Sequence, residues 1–155
     1  MKHSSVAIRQ AVRDDMPGLW DVRYSVAENT LTPGRISDEE LRHSIEEGGS
    51  GWVSEEHGRI VGFAIGLISG NVWALFVRPE AEGRGIGSAL HAEMLAWFSQ
   101  QPPDRLWLST GTNTRARAFY ESRGWQYAGP YGPDEIRLER QNAAYHAVAR
   151  RLPLR

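Results

Sequence analysis

The chain has no cysteine, which excludes both a disulfide framework and a thiolate nucleophile. No apolar run is long enough to span a membrane, and Met1 to Asp15 lacks the apolar stretch of a secretory leader. Net charge is scarce too. Eighteen Lys and Arg against 19 Asp and Glu give a formal −1, so no overall basic field points to nucleic acid. The five histidines (His3, His43, His57, His91 and His146) fall without metal-ligand spacing. No repeat, low-complexity tract or linker divides the 155 residues. These absences leave the expectation of a soluble, cytoplasmic protein with no metal, nucleic-acid or membrane partner. One domain over residues 1–140 is long enough to bury a core. A tail follows at 141–155, where Ala143, Ala144, Ala147, Val148 and Leu152 beside Arg150, Arg151 and Arg155 fit a short helix or a solvated basic tail equally well.

What is present reads as alternating strands and helices. Val6 to Ala11 alternates like a first strand. Asp14 is placed to cap a helix running through Leu19, Trp20, Val22 and Val26, with Pro17 in its first turn. Thr32-Pro33-Gly34 breaks the chain, and Ser37 with Glu40 has the spacing of a capping box before Leu41 and Ile45. Gly48 to Gly51 ends that helix. Strands at Trp52–Ser54 and Ile60–Ile68 flank a polar connection suited to a hairpin, and Asn71–Val77 is a further strand. Ile86, Ala89, Leu90, Met94, Trp97 and Phe98 mark one face of a helix, which Pro102 and Pro103 follow. A strand at Arg105–Thr110, a helix at Asn113–Arg123 closed by Gly124, and strands near Trp125–Ala128 and Glu135–Glu139 complete the chain. The turn-rich Gly129 to Pro133 separates the last two. The fold class is α/β (α+β), hairpin-rich in its first half.

The junction Leu75 to Leu90 carries the chemistry. An apolar run passes through Pro79 into Gly83, Gly85 and Gly87, and a helix begins at once. Glycines there let several N–H groups point one way, and the helix adds its unsatisfied N-terminal donors, so the loop should hold phosphate. A nucleotide-hydrolase loop would need lysine before Ser88. A dinucleotide fingerprint would need glycine at Leu90 or Ser88. Both fail.

The stretch instead resembles the acyl-coenzyme A loop of the GCN5-related N-acetyltransferases, Gln/Arg-x-x-Gly-x-Gly/Ala. Gly85 and Gly87 match, as does the preceding Val77-x-Pro79, while Glu82 replaces the usual Gln or Arg. That substitution places a carboxylate near the expected diphosphate. Asn113 to Trp125 is similar to a second family segment, Asn-x-x-Ala-x-x-Phe-Tyr-x-x-x-Gly-Phe, with Trp125 at the last place. The order of elements fits the family along nearly the whole chain.

The resemblance implies a mixed central sheet of six to seven strands flanked by four helices and splayed at the cofactor. It implies direct transfer of an acetyl group from acetyl-coenzyme A to a primary amine, on a small molecule or a protein. Leu75, Phe76 and Val77 would hold the cofactor by their backbone, the Leu75 N–H facing the thioester carbonyl. Gly83, Arg84, Gly85, Gly87 and Ser88 map onto the diphosphate-binding positions, Arg84 either adding charge there or being a solvated loop residue, and Asn113 would bind the cofactor or cap the helix start. Tyr120 would contact the cofactor and protonate the departing thiolate; a packed aromatic is its other reading. Many relatives place a Glu where Asn71 stands, so no base is assigned; Glu28 and a water relay are the candidates. Trp20 and Trp73 are either core or walls of an acceptor pocket. Relatives commonly dimerise, and the 141–155 tail is a candidate contact. Other readings are a non-catalytic acyl-coenzyme A sensor or subunit, and transfer of a longer acyl chain.

Overall fold

The computed structural model describes residues 6–26 and 34–142. Its elements follow the order β1 (Ile8–Gln10), α1 (Met16–Ser25), α2 (Asp38–Glu46), β2 (Gly49–Glu56), β3 (Arg59–Leu67), β4 (Val72–Val77), α3 (Ile86–Phe98), β5 (Arg105–Gly111), α4 (Arg115–Glu121), β6 (Gln126–Tyr131) and β7 (Glu135–Gln141). The strands form two antiparallel sheets, ordered β1-β2-β3-β4 and β5-β7-β6. The only parallel element among the described residues is a bridge between Asn71 and Trp107, where β4 and β5 start side by side. The Trp107 N–H donates to the Gly70 carbonyl at 2.9 Å, and the Asn71 amide donates to the Trp107 carbonyl at 3.3 Å. Beyond this apex neither strand pairs with the other, so the sheets open as a fork.

The sequence fixes most elements through local chemistry. Ser37 accepts from the Glu40 N–H at 3.0 Å while the Glu40 carboxylate accepts from the Ser37 N–H at 2.9 Å, which closes the expected capping box of α2. His57 and Gly58, at φ 54° and 76°, form a two-residue turn of the kind that matches hairpin twist. The strands therefore run on through Glu55, Glu56 and Arg59, residues expected in the connection. Gly124 closes α4 at φ 91°, with the Trp125 N–H returning to the Tyr120 carbonyl at 3.2 Å.

Several expectations shift by a few residues. Asp14 caps nothing; Asp15 takes the Val12 N–H at 2.8 Å and a two-pronged Arg9 at 2.9 Å before α1 starts. Gly49 to Gly51 do not end α2 but open β2. The helix expected from Asn113 starts at Arg115, because the Thr114 hydroxyl accepts the Arg117 N–H at 3.1 Å and is the cap. Gly129-Pro130-Tyr131 belongs to β6, not to a turn; β6 is an edge strand whose register slips between Tyr127 and Pro130, where a missing N–H is tolerated. Gln141 still pairs with Arg105, so the last strand passes the expected boundary at 140. The proposed tail helix and dimer contact lie outside the described residues.

Two cores bracket the first sheet. Leu19, Val22, Leu41 and Ile45 from α1 and α2 bury one face with Val53, Phe63 and Ile65. Ile86, Leu90, Met94 and Phe98 of α3 bury the other with Leu106, Leu108, Trp125 and Leu138. Burying each large α3 side chain contributes about 1.5–3 kcal/mol. The exposed ion pairs around Arg42 on α2 are screened by solvent and add little. Apolar packing therefore decides where the helices lie. Arg78 adds a buried tie: its Nε donates to the Ile60 carbonyl at 2.9 Å and its Nη2 to Asp21 at 2.8 Å, pinning α1 beside the end of β4.

Candidate functional site

The fork between β4 and β5 opens into two cavities. The larger, about 670 Å³, lies between α1, the start of α2, and the two sheets, and is lined among others by Trp20, Arg23, Trp73, Phe76, Asp134 and Glu135. The smaller, about 340 Å³, runs between the glycine loop and α4. Leu75, Ala116 and Tyr120 line both.

Backbone direction follows from one hydrogen bond. The Arg78 N–H donates to the Val61 carbonyl at 2.8 Å, and Gly62 to Ile65 pair in unbroken register with Val77 to Ala74. Amides alternate sides along a strand, so those of Arg78, Phe76 and Ala74 face β3 while those of Leu75 and Val77 face the open edge. Leu75 and Val77 thus offer into the fork donors that no described residue pairs, and a ligand strand could add there. Phe76 does not: its backbone is turned to β3, and its ring lines the larger cavity under the Arg23 guanidinium at 4.3 Å. Burial lowers the basicity of Arg23 there. Trp73 is the extra residue of a bulge between Val72 and Ala74, and Trp73 and Trp20 both wall the cavity, in line with the pocket reading of these tryptophans.

The loop has the geometry of an anion cradle. Gly83 and Gly85 sit at φ 78° and 85°, in the left-handed region that favours glycine. Gly85 is the cap of α3, and among the described residues no side chain caps the first-turn N–H groups behind it. Gly83, Gly85, Gly87 and Ser88 line the smaller cavity. Arg84 points away and donates to Glu56 at 2.7 Å, and Asn113 is exposed and lines neither cavity. Glu82, the departure from the loop pattern, is held by Arg115, so its carboxylate is already compensated. Asn71 is buried and spends its amide on the fork apex; Glu28 lies outside the described residues.

Tyr120 sits in an aromatic cluster, with ring centroids 5.3 Å from Phe119, 5.6 Å from Trp125 and 6.1 Å from His91. Burial pushes its phenol above the ordinary value, which keeps the proton on. Its hydroxyl has no hydrogen-bond partner among the described residues, unlike that of a merely packed tyrosine. His91 accepts from the Trp125 Nε1–H at 3.0 Å. Burial, then the charges of Arg140 and Arg123, push it down to about 4, so it is a neutral acceptor. The sequence reading missed Ala116, Phe119 and Arg123 of the smaller cavity. Their spacing with Tyr120 (i, i+3, i+4, i+7) was the available signal.

Comparison with known proteins agrees with this geometry. Residues 7–125 match the profile of the Acetyltransferase (GNAT) family. The peptidyl-lysine N-acetyltransferase YiaC of Escherichia coli (strain K12) is 33% identical over 88 residues, 56% of this chain and 57% of that one. The matched stretch thus spans little more than half of that relative. Among solved structures, the PaiA N-acetyltransferase of Thermoplasma acidophilum in complex with coenzyme A superposes with a TM-score of 0.76 at 17% identity, covering 89% of this chain and 99% of that one. The ribosomal-protein-S18-alanine N-acetyltransferase of Escherichia coli gives 0.72 at 19% identity, covering 88% and 94%. Both share the fold.

Proposed function

The chain belongs to the acetyltransferase (GNAT) family, and from that premise we propose that it transfers an acetyl group from acetyl-coenzyme A to the amine of a peptide or protein. The single observation that carries the proposal is the meeting of two cavities at Leu75 and Tyr120: one fits an anionic cofactor, the other an amine. Acetyl-coenzyme A supplies the thioester that the amine attacks directly, forming the C–N bond and releasing the thiol. The loop and the first turn of α3 hold its diphosphate, and the open edge of β4 holds its arm. The Leu75 N–H donates to the oxygen on which charge develops. Tyr120 carries the proton that the departing sulfur takes. The amine's own proton leaves to water or to Asp134 or Glu135, the carboxylates that line the larger cavity among the described residues.

The preference for a peptide amine draws on the lysine-acetylating relative and on a cavity that has Arg23 and Arg35 on the helix side and Asp134 and Glu135 on the β6–β7 side. Thermal unfolding with acetyl-coenzyme A, coenzyme A, adenosine diphosphate and NAD tests the cofactor. A ligand at about 100 times its Kd adds about 2.7 kcal/mol of apparent stability. Stabilisation by the coenzyme A compounds, well above that by NAD, is expected; none from any of them removes the enzyme reading.

A further inference from the structure

Resting on that reading of the smaller cavity, we infer that Arg123 is a phosphate-binding residue of the cofactor site. The family's second segment leaves this position open, and nothing in the glycine loop points to it. The side chain leaves the end of α4 and lies across the groove wall. Its guanidinium stacks on the Phe119 ring at 3.8 Å. Its Nη1 donates to the Phe119 carbonyl at 3.1 Å and to the Ser122 hydroxyl at 2.9 Å, and its Nη2 donates to the Ser88 hydroxyl at 2.5 Å. Ser88 stands in the first turn of α3, next to the glycines at whose N–H groups an anion would bind.

Three features turn this from a packed arginine into an anion ligand. Its contacts on α4 and α3 are fixed before any ligand arrives, so little rotamer entropy remains to be lost on binding. Those contacts use both Nη1 hydrogens and one on Nη2, which leaves the Nε–H and one Nη2–H for a further acceptor. No carboxylate pairs with Arg123 among the described residues, whereas Arg84 and Arg115 on the same rim are bound to Glu56 and Glu82. Arg123 is therefore the uncompensated positive charge of the groove. Ser88 completes the arrangement: its oxygen accepts from Arg123, which leaves its own proton to donate toward the same anion. The ligand is the diphosphate, since Ser88 belongs to the loop turn where the backbone donors converge.

The test is a cycle between residue and ligand, read by calorimetric titration of the whole protein. Acetyl-coenzyme A carries the phosphates; S-acetylpantetheine keeps the thioester and the arm without them. In Arg123→Met, which preserves apolar cover on Phe119, affinity for acetyl-coenzyme A should fall about 10- to 100-fold, the range of a charge-assisted hydrogen bond. Affinity for S-acetylpantetheine should stay unchanged. Arg123→Lys, which keeps the charge but loses the fork, should fall between the two. Equal weakening of both ligands would overturn the inference, because Arg123 would then only support the groove wall. So would unchanged affinity for acetyl-coenzyme A in both variants. If the unsubstituted protein binds acetyl-coenzyme A no more tightly than S-acetylpantetheine, the loop is not a diphosphate site and the cofactor reading itself falls.

Discussion

Leu75 and Tyr120 both line the two cavities, one offering a backbone donor from an open strand edge, the other a buried hydroxyl. An electrophile entering from the loop side and a nucleophile entering from the helix side can meet at this shared wall, which Ala116 completes. The donor has no partner among the described residues because β4 is an edge strand beyond the Asn71–Trp107 bridge. The hydroxyl has no partner among the described residues because its surroundings are aromatic.

Replacing Tyr120 with Phe removes the proton and leaves the ring cluster. Turnover should fall about 100-fold or more, with the Kd for acetyl-coenzyme A unchanged. Steady-state rates beside calorimetric binding measure the two separately. Loss of binding in proportion to turnover would make Tyr120 a packing residue. Because burial raises the phenol, no alkaline limb from Tyr120 should appear in the rate profile below pH ~10.

Gly87→Asp separates the loop from the fold. A Cβ at this position would meet Phe119 at 3.6 Å and Val77 at 3.8 Å, ordinary contact distances. The variant should fold with a near-unchanged Tm in the absence of ligand. Binding of acetyl-coenzyme A should disappear, since a carboxylate would stand among donors meant for phosphate. Retained binding in a thermal-shift titration would refute the loop assignment.

Gly49→Ala bears on the scaffold instead. A methyl there would lie 2.1 Å from the Gly66 carbonyl oxygen and 2.8 Å from that of Ser44, both backbone. No rotamer relieves backbone, so α2 and β3 must separate, at a cost of about 3 kcal/mol or more. The urea midpoint should drop sharply; an unchanged midpoint would mean that β2 and β3 do not pair in the observed register.

His91 makes the fold acid-sensitive. Its folded pKa, about 4, lies below the ordinary 6.5, so the folded state prefers the neutral ring. Its contribution is complete above pH ~6.5 and is lost as the pH falls toward 4, a change of about 3 kcal/mol over that window. Urea unfolding at pH 7 and pH 4.5 measures it. His91→Gln, neutral throughout, should show a clearly smaller difference between the two pH values than the unsubstituted protein.

The parts of this architecture legible in the sequence are those set by neighbours along the chain. Ser37 with Glu40, Gly124, and the apolar stripe of α3 each encode their element within a few residues. So do the loop glycines, whose conformation is a property of the residue itself. What stayed hidden depends on partners far away. Arg84 reads equally as a phosphate ligand or a solvated loop residue until Glu56, 28 positions earlier, is seen to hold it. Glu82 reads as a defect until Arg115 compensates it. Arg123 reads as a helix-end charge until the fold sets it against Ser88. Asn71 reads as a missing base, whereas its amide pins the fork. Pro130 reads as a turn because nothing local reveals that β6 will be an edge.

The most direct test of the account is release of coenzyme A thiol from acetyl-coenzyme A, followed with lysine peptides, N-terminal alanine peptides and small amines, the products checked by mass. The account predicts saturable, amine-dependent release with a mass gain of one acetyl group on a peptide amine, greatly reduced in Tyr120→Phe. Tight binding of acetyl-coenzyme A with no release above the hydrolytic background for any amine would contradict it and leave a sensor built on a transferase fold.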